Sequence, residues 1–127
     1  MLVDRSLRTH ARTQPDKVAV VTAERSISYR ELDSSVTYLA GHLLERGYAP
    51  GDRIAIHWSN SIEAVQLLLA TFRAGMIAVP INLRLKSAEI AYILEHSAAR
   101  LCFSEPALAT LAEEARCSRG PDIVRDT

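Results

Sequence analysis

Phe72-Arg73-Ala74-Gly75-Met76-Ile77-Ala78-Val79-Pro80-Ile81-Asn82-Leu83-Arg84-Leu85 is the stretch on which the reading of this chain turns. It reads as a helix end, a glycine stop, a short strand, and a polar loop that opens another helix. Gly75 follows the last periodic apolar residues, where a left-handed helix end favours a residue without Cβ. Ile77, Ala78 and Val79 do not alternate, as expected of a strand covered on both faces. Pro80 has no N–H to give a ladder, so the strand ends there or lies at an edge. Asn82 and Arg84 then sit where the chain leaves the carboxyl end of the strand, the usual place for ligands in open α/β sheets.

Working upstream, Ile62, Val65, Leu68, Leu69 and Phe72 line one helical face, and Ala64, Leu67 and Ala70 keep the rest small or apolar. A helix apolar nearly all round is buried on more than one side. Asn60 is the expected N-cap, with Glu63 at the capping-box position. Before it, the turn Pro50-Gly51-Asp52 leads into a strand at residues 53–56, which His57-Trp58-Ser59-Asn60 follows. Ser28 and Glu31 form a capping box ahead of Leu32, Val36, Leu39, Ala40 and Leu43, an amphipathic helix that Gly47 stops. Residues 18–21 and 26–29 are two strand-like runs close enough for a hairpin, without an Asn-Gly turn. Leu7 and Ala11 mark a first short helix over residues 3–13, ended by Gln14-Pro15-Asp16.

Downstream, Ser87 is the expected cap of a helix through Glu89, Ile90, Ile93 and Leu94 that ends near Ser97. Residues 100–103 form a strand. Pro106 stands in the first turn of a last helix carrying Leu108, Leu111, Ala112 and Ala115. Residues 121–124 begin another strand or form a tail. Strands alternating with helices argue a three-layer α/β fold: a small, mostly parallel, Rossmann-like sheet with an N-terminal β-hairpin. No repeat, low-complexity tract or linker divides the chain, so residues 1–127 read as one domain.

Composition narrows the function classes. The chain has 127 residues, 48% hydrophobic and 24% charged, with a formal net charge of zero. That gives no electrostatic case for nucleic acid or an anionic membrane. The N-terminus lacks a basic-then-apolar leader pattern, and no apolar run approaches the ~20 residues of a membrane helix. Cys102 and Cys117 are too few for a disulfide framework and suit a reducing cytoplasm. Cys102 lies in an apolar run and reads as an inert core thiol. His10, His42, His57 and His96 lack metal-ligand spacing; His57, ending a strand beside Trp58, reads as structural or as lining a pocket.

The ordered pieces resemble the N-terminal portion of the adenylate-forming superfamily of acyl-CoA synthetases, luciferases and peptide-synthetase adenylation domains. They are Pro15-Asp16-Lys17-Val18-Ala19-Val20, Ile27-Ser28-Tyr29-Arg30-Glu31-Leu32, Pro50-Gly51-Asp52-Arg53-Ile54-Ala55-Ile56, Asn60-Ser61-Ile62-Glu63, the quoted stretch from Ala74, Glu89-Ile90-Ala91-Tyr92-Ile93-Leu94 and Ser97-Ala98-Ala99-Arg100-Leu101. The stretch Val79-Pro80-Ile81-Asn82-Leu83-Arg84-Leu85 is similar to fatty- and aryl-acyl-CoA ligases. The Pro-Leu-Asp-Pro usual in amino-acid-activating domains is missing, which leaves a fragment of such a domain as the alternative.

The resemblance implies a parent enzyme that uses ATP, Mg²⁺ and coenzyme A. A carboxylate attacks the α-phosphate of ATP to give an acyl-adenylate and release pyrophosphate, and the thiol then displaces AMP. The phosphate loop, the catalytic lysine and the ATP-holding residues of the family have no match here. The expectation is therefore an N-terminal fragment, not competent alone, without catalytic residues, a metal site or a bound cofactor. Its partners would be the ATP-binding subdomain and C-terminal domain of the same ligase. The implied role is one wall of the acyl and coenzyme A cleft, with Trp58, Ser59, Asn60, Asn82 and Arg84 as the candidate wall. Each has a plainer reading: Asn60 caps its helix, Asn82 fixes its turn, and Arg84 pairs with a surface carboxylate. A stand-alone nucleotide- or acyl-binding module, or a self-associating one, is the other functional class.

Overall fold

Gly75 adopts φ +77°, the left-handed conformation expected at a helix end, and the neighbouring elements follow from that stop. The computed structural model describes residues 2–108 and 122–124. The elements are α1 (Leu2–Thr13), β1 (Val18–Val21), β2 (Ser26–Ser28), α2 (Tyr29–Glu45), β3 (Arg53–His57), α3 (Ile62–Arg73), β4 (Ile77–Pro80), α4 (Ser87–Ser97), β5 (Leu101–Ser104), a 3₁₀ turn (Pro106–Leu108) and β6 (Asp122–Val124). They group into two compact units, Met1–Pro50 with Asn60–Gly75, and Gly51–Ser59 with Met76–Thr127. Leu111, Ala112, Glu113, Glu114, Ala115 and Cys117 lie outside the described residues.

The first unit holds the hairpin and three helices. β1 and β2 pair antiparallel, with a register shift between Val18 and Val20. The capping box at α2 is formed: the Ser28 hydroxyl accepts from the Glu31 N–H at 3.2 Å, and the Glu31 carboxylate accepts from the Ser28 N–H at 3.2 Å. α2 buries Leu32, Val36, Ala40 and Leu43. α3 is covered all round, as its composition suggested: none of its residues is exposed, and Ile62 of the expected face is fully buried. Leu67, Ala70 and Thr71 are buried, while Val65, Leu68, Leu69 and Phe72 are half-buried. Apart from Ile62, the fully buried residues follow, with Ala74, the i, i+3, i+4, i+7 spacing of one helical stripe, which carries the smaller residues. The cap differs. Ser61, not Asn60, takes the N-cap position, and its hydroxyl accepts from the Ala64 N–H at 3.1 Å.

Arg73 ties the three helices together. Its side chain is 5% exposed, with Nε 2.5 Å from Asp4 Oδ1 on α1 and Nη2 2.8 Å from Asp33 Oδ1 on α2. Nη1 also donates to Thr37 Oγ1 at 2.9 Å. Burial alone would raise the Asp4 carboxyl, but hydrogen bonds from Arg8 and Arg73 outweigh it and hold the group below the usual carboxylate range.

The second unit is a four-stranded parallel sheet in the order β4-β3-β5-β6. Among the described residues β2 pairs only with β1, and the parallel sheet starts at β3. β3 runs one residue further than expected, to His57, and β5 spans Leu101–Ser104. These central strands are the doubly covered ones. β4, expected to be buried on both faces, lies at the edge with Ile77 49% exposed, in keeping with Pro80. α4 begins after Lys86, with no side-chain cap from Ser87. Instead the Glu89 carboxylate accepts from the Lys86 N–H at 3.2 Å. Ile90 and Leu94 of α4 pack with Ala55, Ile81, Ala99 and Cys102 in one apolar cluster. Burial pushes the Cys102 thiol up to about 12. Residues 122–124 form a strand beside β5.

Candidate functional site

Parallel strands put their carboxyl ends on one edge, and here β3, β4 and β5 end together. Ile56 stands beside Pro80, and His57 beside Ser104. The Ile81 N–H continues the pairing to the Ile56 carbonyl at 2.9 Å, and the Glu105 N–H to the His57 carbonyl at 3.1 Å. Three chain segments leave this edge: Trp58-Ser59, Asn82-Leu83-Arg84, and Glu105-Pro106.

The sequence-derived wall residues are placed as follows. Trp58 and Ser59 are half-buried just beyond β3. The Ser59 hydroxyl donates to Glu105 Oε1 at 2.7 Å, joining the β3 and β5 exits. Asn82 makes a local turn, its Oδ1 accepting from the Arg84 N–H at 2.9 Å. Arg84 is exposed and makes no ion pair with a described residue. Its guanidinium thus presents several N–H donors to solvent in a fork suited to carboxylate or phosphate. Trp58, Ser59, Asn82 and Arg84 share the sheet edge. Asn60 belongs to the first unit, where it is exposed and lines a cavity of about 380 Å³ with Val20, Val21, Ser61 and Leu68.

Two residues of this edge, Glu105 and Ser104, were not among the candidates, and His57 was singled out only as structural or as lining a pocket. Glu105 was read only as a helix start, and no local pattern in the sequence pairs it with Ser59, 46 positions away. His57 and Ser104 are both fully buried. Desolvation lowers the imidazole's proton affinity below its ordinary range, and the Glu105 carboxylate pulls it the other way.

The groups used by the resembled family do not fit the described residues. Nucleotide phosphates need a run of backbone N–H groups in a glycine-rich loop. Gly47, Gly51 and Gly75 each take positive φ at separate turns. Magnesium wants carboxylates in company with phosphates. Among the described residues no three His, Cys, Asp or Glu side chains gather where they could hold a metal. No described helix is long and apolar enough to cross a membrane.

Comparison with known proteins agrees with this edge-forming α/β architecture. A family model described as AMP-binding enzyme matches residues 7–125. A 3-hydroxybenzoate–CoA/4-hydroxybenzoate–CoA ligase of Thauera aromatica is 38% identical over 88 residues, 69% of this chain and 17% of that protein. A fatty acid–[acyl-carrier-protein] ligase, ScoC, of Streptomyces coeruleorubidus is 32% identical over 105 residues, 83% of this chain and 20% of that protein. Among solved structures, a benzoate CoA ligase from Burkholderia xenovorans LB400 matches with a TM-score of 0.91 at 26% identity, over 98% of this chain and 25% of that one. The chain thus spans a fifth or less of these curated relatives and a quarter of the matched structure. This chain belongs to the AMP-binding enzyme family.

Proposed function

We propose that this chain is the N-terminal subdomain of an AMP-forming acid ligase, supplying one wall of the acyl and thiol cleft. The parent would activate a fatty or aryl carboxylate with ATP and Mg²⁺ and pass the acyl group to coenzyme A. The observation that carries this reading is the match over 98% of this chain to one quarter of a benzoate CoA ligase. Trp58, Ser59, Asn82 and Arg84 would form the wall, with Arg84 facing the anionic part of substrate or thiol carrier. The partners are the ATP-binding subdomain and the C-terminal domain of the same ligase, and residues 1–127 act as one subdomain. The setting proposed is cytoplasmic, and the free, buried Cys102 supports it.

The test is ATP–pyrophosphate exchange with a panel of benzoates and fatty acids. The chain alone gives no exchange above blank. Supplied with the remainder of a ligase of this family, it restores exchange, and Arg84→Ala then raises KM for the acid or the thiol carrier several-fold. Exchange by the isolated chain would overturn the scaffold reading.

A second reading rests on the hairpin, where Val18 is 48% and Val21 72% exposed. Apolar groups so placed favour self-association when nothing else covers them. Light scattering at high concentration separates the two: a concentration-independent monomer argues against it.

A further inference from the structure

The carboxyl ends of β3 and β5 carry a pair of buried polar side chains that the proposed function does not use. His57 and Ser104 are each 0% exposed. They stand side by side in the parallel register. Neither imidazole nitrogen nor the Ser104 hydroxyl has a hydrogen-bond partner among the described residues. Buried polar atoms are nearly always satisfied, so such a pair calls for a physical account. An uncharged imidazole tolerates this setting; an imidazolium without a partner does not.

We propose that these two strand ends form a proton-operated latch: uncharged His57, enclosed beside Ser104, keeps the Trp58-Ser59 and Glu105 exits closed, and protonation of His57 opens them. Side chains alternate along a strand, so His57 shares a sheet face with Ala55, and Ser104 with Cys102. Ala55 and Cys102 lie in the apolar cluster with Ile81, Ile90 and Leu94. Cys102 stays an uncharged thiol, pushed up to about 12. On α4 the titratable side chains Glu89, Tyr92, Glu95 and His96 are exposed, as are Arg84 and Lys86 in the loop before it. Glu105 is the charged group that acts on the imidazole. Its carboxylate is engaged by the Ser59 hydroxyl at 2.7 Å, and its N–H by the His57 carbonyl at 3.1 Å. Neither ring nitrogen is hydrogen-bonded to a described residue, so a charged His57 gains a bond to Glu105, the charged group that acts on it among the described residues, or to water, through movement of the side chains at the β3 and β5 exits. That movement parts the exits of β3 and β5.

The sign follows from proton linkage. Burial depresses the folded-state proton affinity of His57 below the unfolded value near 6.5. The closed state is therefore fully favoured above about pH 6.5 and loses that advantage as pH falls through the lower folded-state value. The latch concerns this chain's own residues and stands independently of the ligase reading.

Trp58, next to His57, is the single tryptophan and serves as reporter. The chain is titrated from pH 8 to pH 4 with NMR of the imidazoles and Trp58 emission, while far-UV circular dichroism follows the fold. The expected result is a His57 midpoint below pH 6.5, with Trp58 emission changing at the same midpoint before helical signal is lost. In His57→Gln that emission change disappears. A His57 midpoint at or above 6.5, a Trp58 midpoint that does not coincide with it, or persistence of the change in folded His57→Gln would overturn the latch. Should His57→Gln fail to fold at pH 7, the coincidence of the two wild-type midpoints decides.

Discussion

At the residue scale, Gly75 and Cys102 show how one side chain is fixed by its surroundings. Gly75 needs a positive φ, and a Cβ there would come 3.3 Å from the Pro50 Cβ. Gly75→Ala combines left-handed strain of about 1–2 kcal/mol with that crowding. It should lower the thermal midpoint measurably by calorimetry, while Gly41→Ala, with open space around it in the middle of α2, should not. Cys102 is fully buried with its thiol pushed up to about 12. It should resist alkylation in the native chain at pH 8 and react once denaturant is added, as mass spectrometry at that position would show. Both residues were legible in the sequence, because a helix stop and an apolar strand position are local facts. Arg84 was not: whether its guanidinium meets a carboxylate depends on which carboxylates fold nearby.

At the element scale, Arg73 pins α1, α2 and α3 through a buried guanidinium held by two carboxylates. Removing a buried cation that holds two carboxylates is costly, and Arg73→Ala should destabilise the fold by about 3 kcal/mol in urea titration. Arg73→Lys recovers only part, since an ammonium cannot reproduce the guanidinium fork. Asp4 is held below its ordinary range, so its contribution is present above the unfolded carboxyl value and lost as pH falls through the lower folded one. Stability should therefore decline on the acid side, and Asp4→Asn should flatten that decline. Nothing in the sequence announced this pin, because its members lie on three helices far apart along the chain. The Ser28–Glu31 box, by contrast, needed only residues three apart and was readable directly. The cap of α3 moved by one residue because Asn60 and Ser61 are both good N-caps, and propensity does not choose between them.

At the scale of the whole molecule, the chain is a family member spanning a quarter of a matched benzoate CoA ligase structure. On the proposed reading, exchange should appear only when the ATP-binding and C-terminal parts of a ligase of this family are supplied, and the reconstitution assay measures this directly. The His57 latch would then act at one edge of the cleft, with its pH midpoint measurable in the isolated chain.

The sequence by itself determined the element order, the hairpin, the stops and the parallel character of the sheet. Each of these rests on short-range physics: hydrophobic period, cap chemistry and glycine or proline punctuation. Only the tertiary structure decided which stripe of α3 is buried, because a helix apolar nearly all round offers no periodic preference. It alone paired Ser59 with Glu105 and enclosed His57 beside Ser104. Those outcomes depend on which strands become neighbours, and adjacency in a parallel sheet is set by long crossovers that no local pattern encodes.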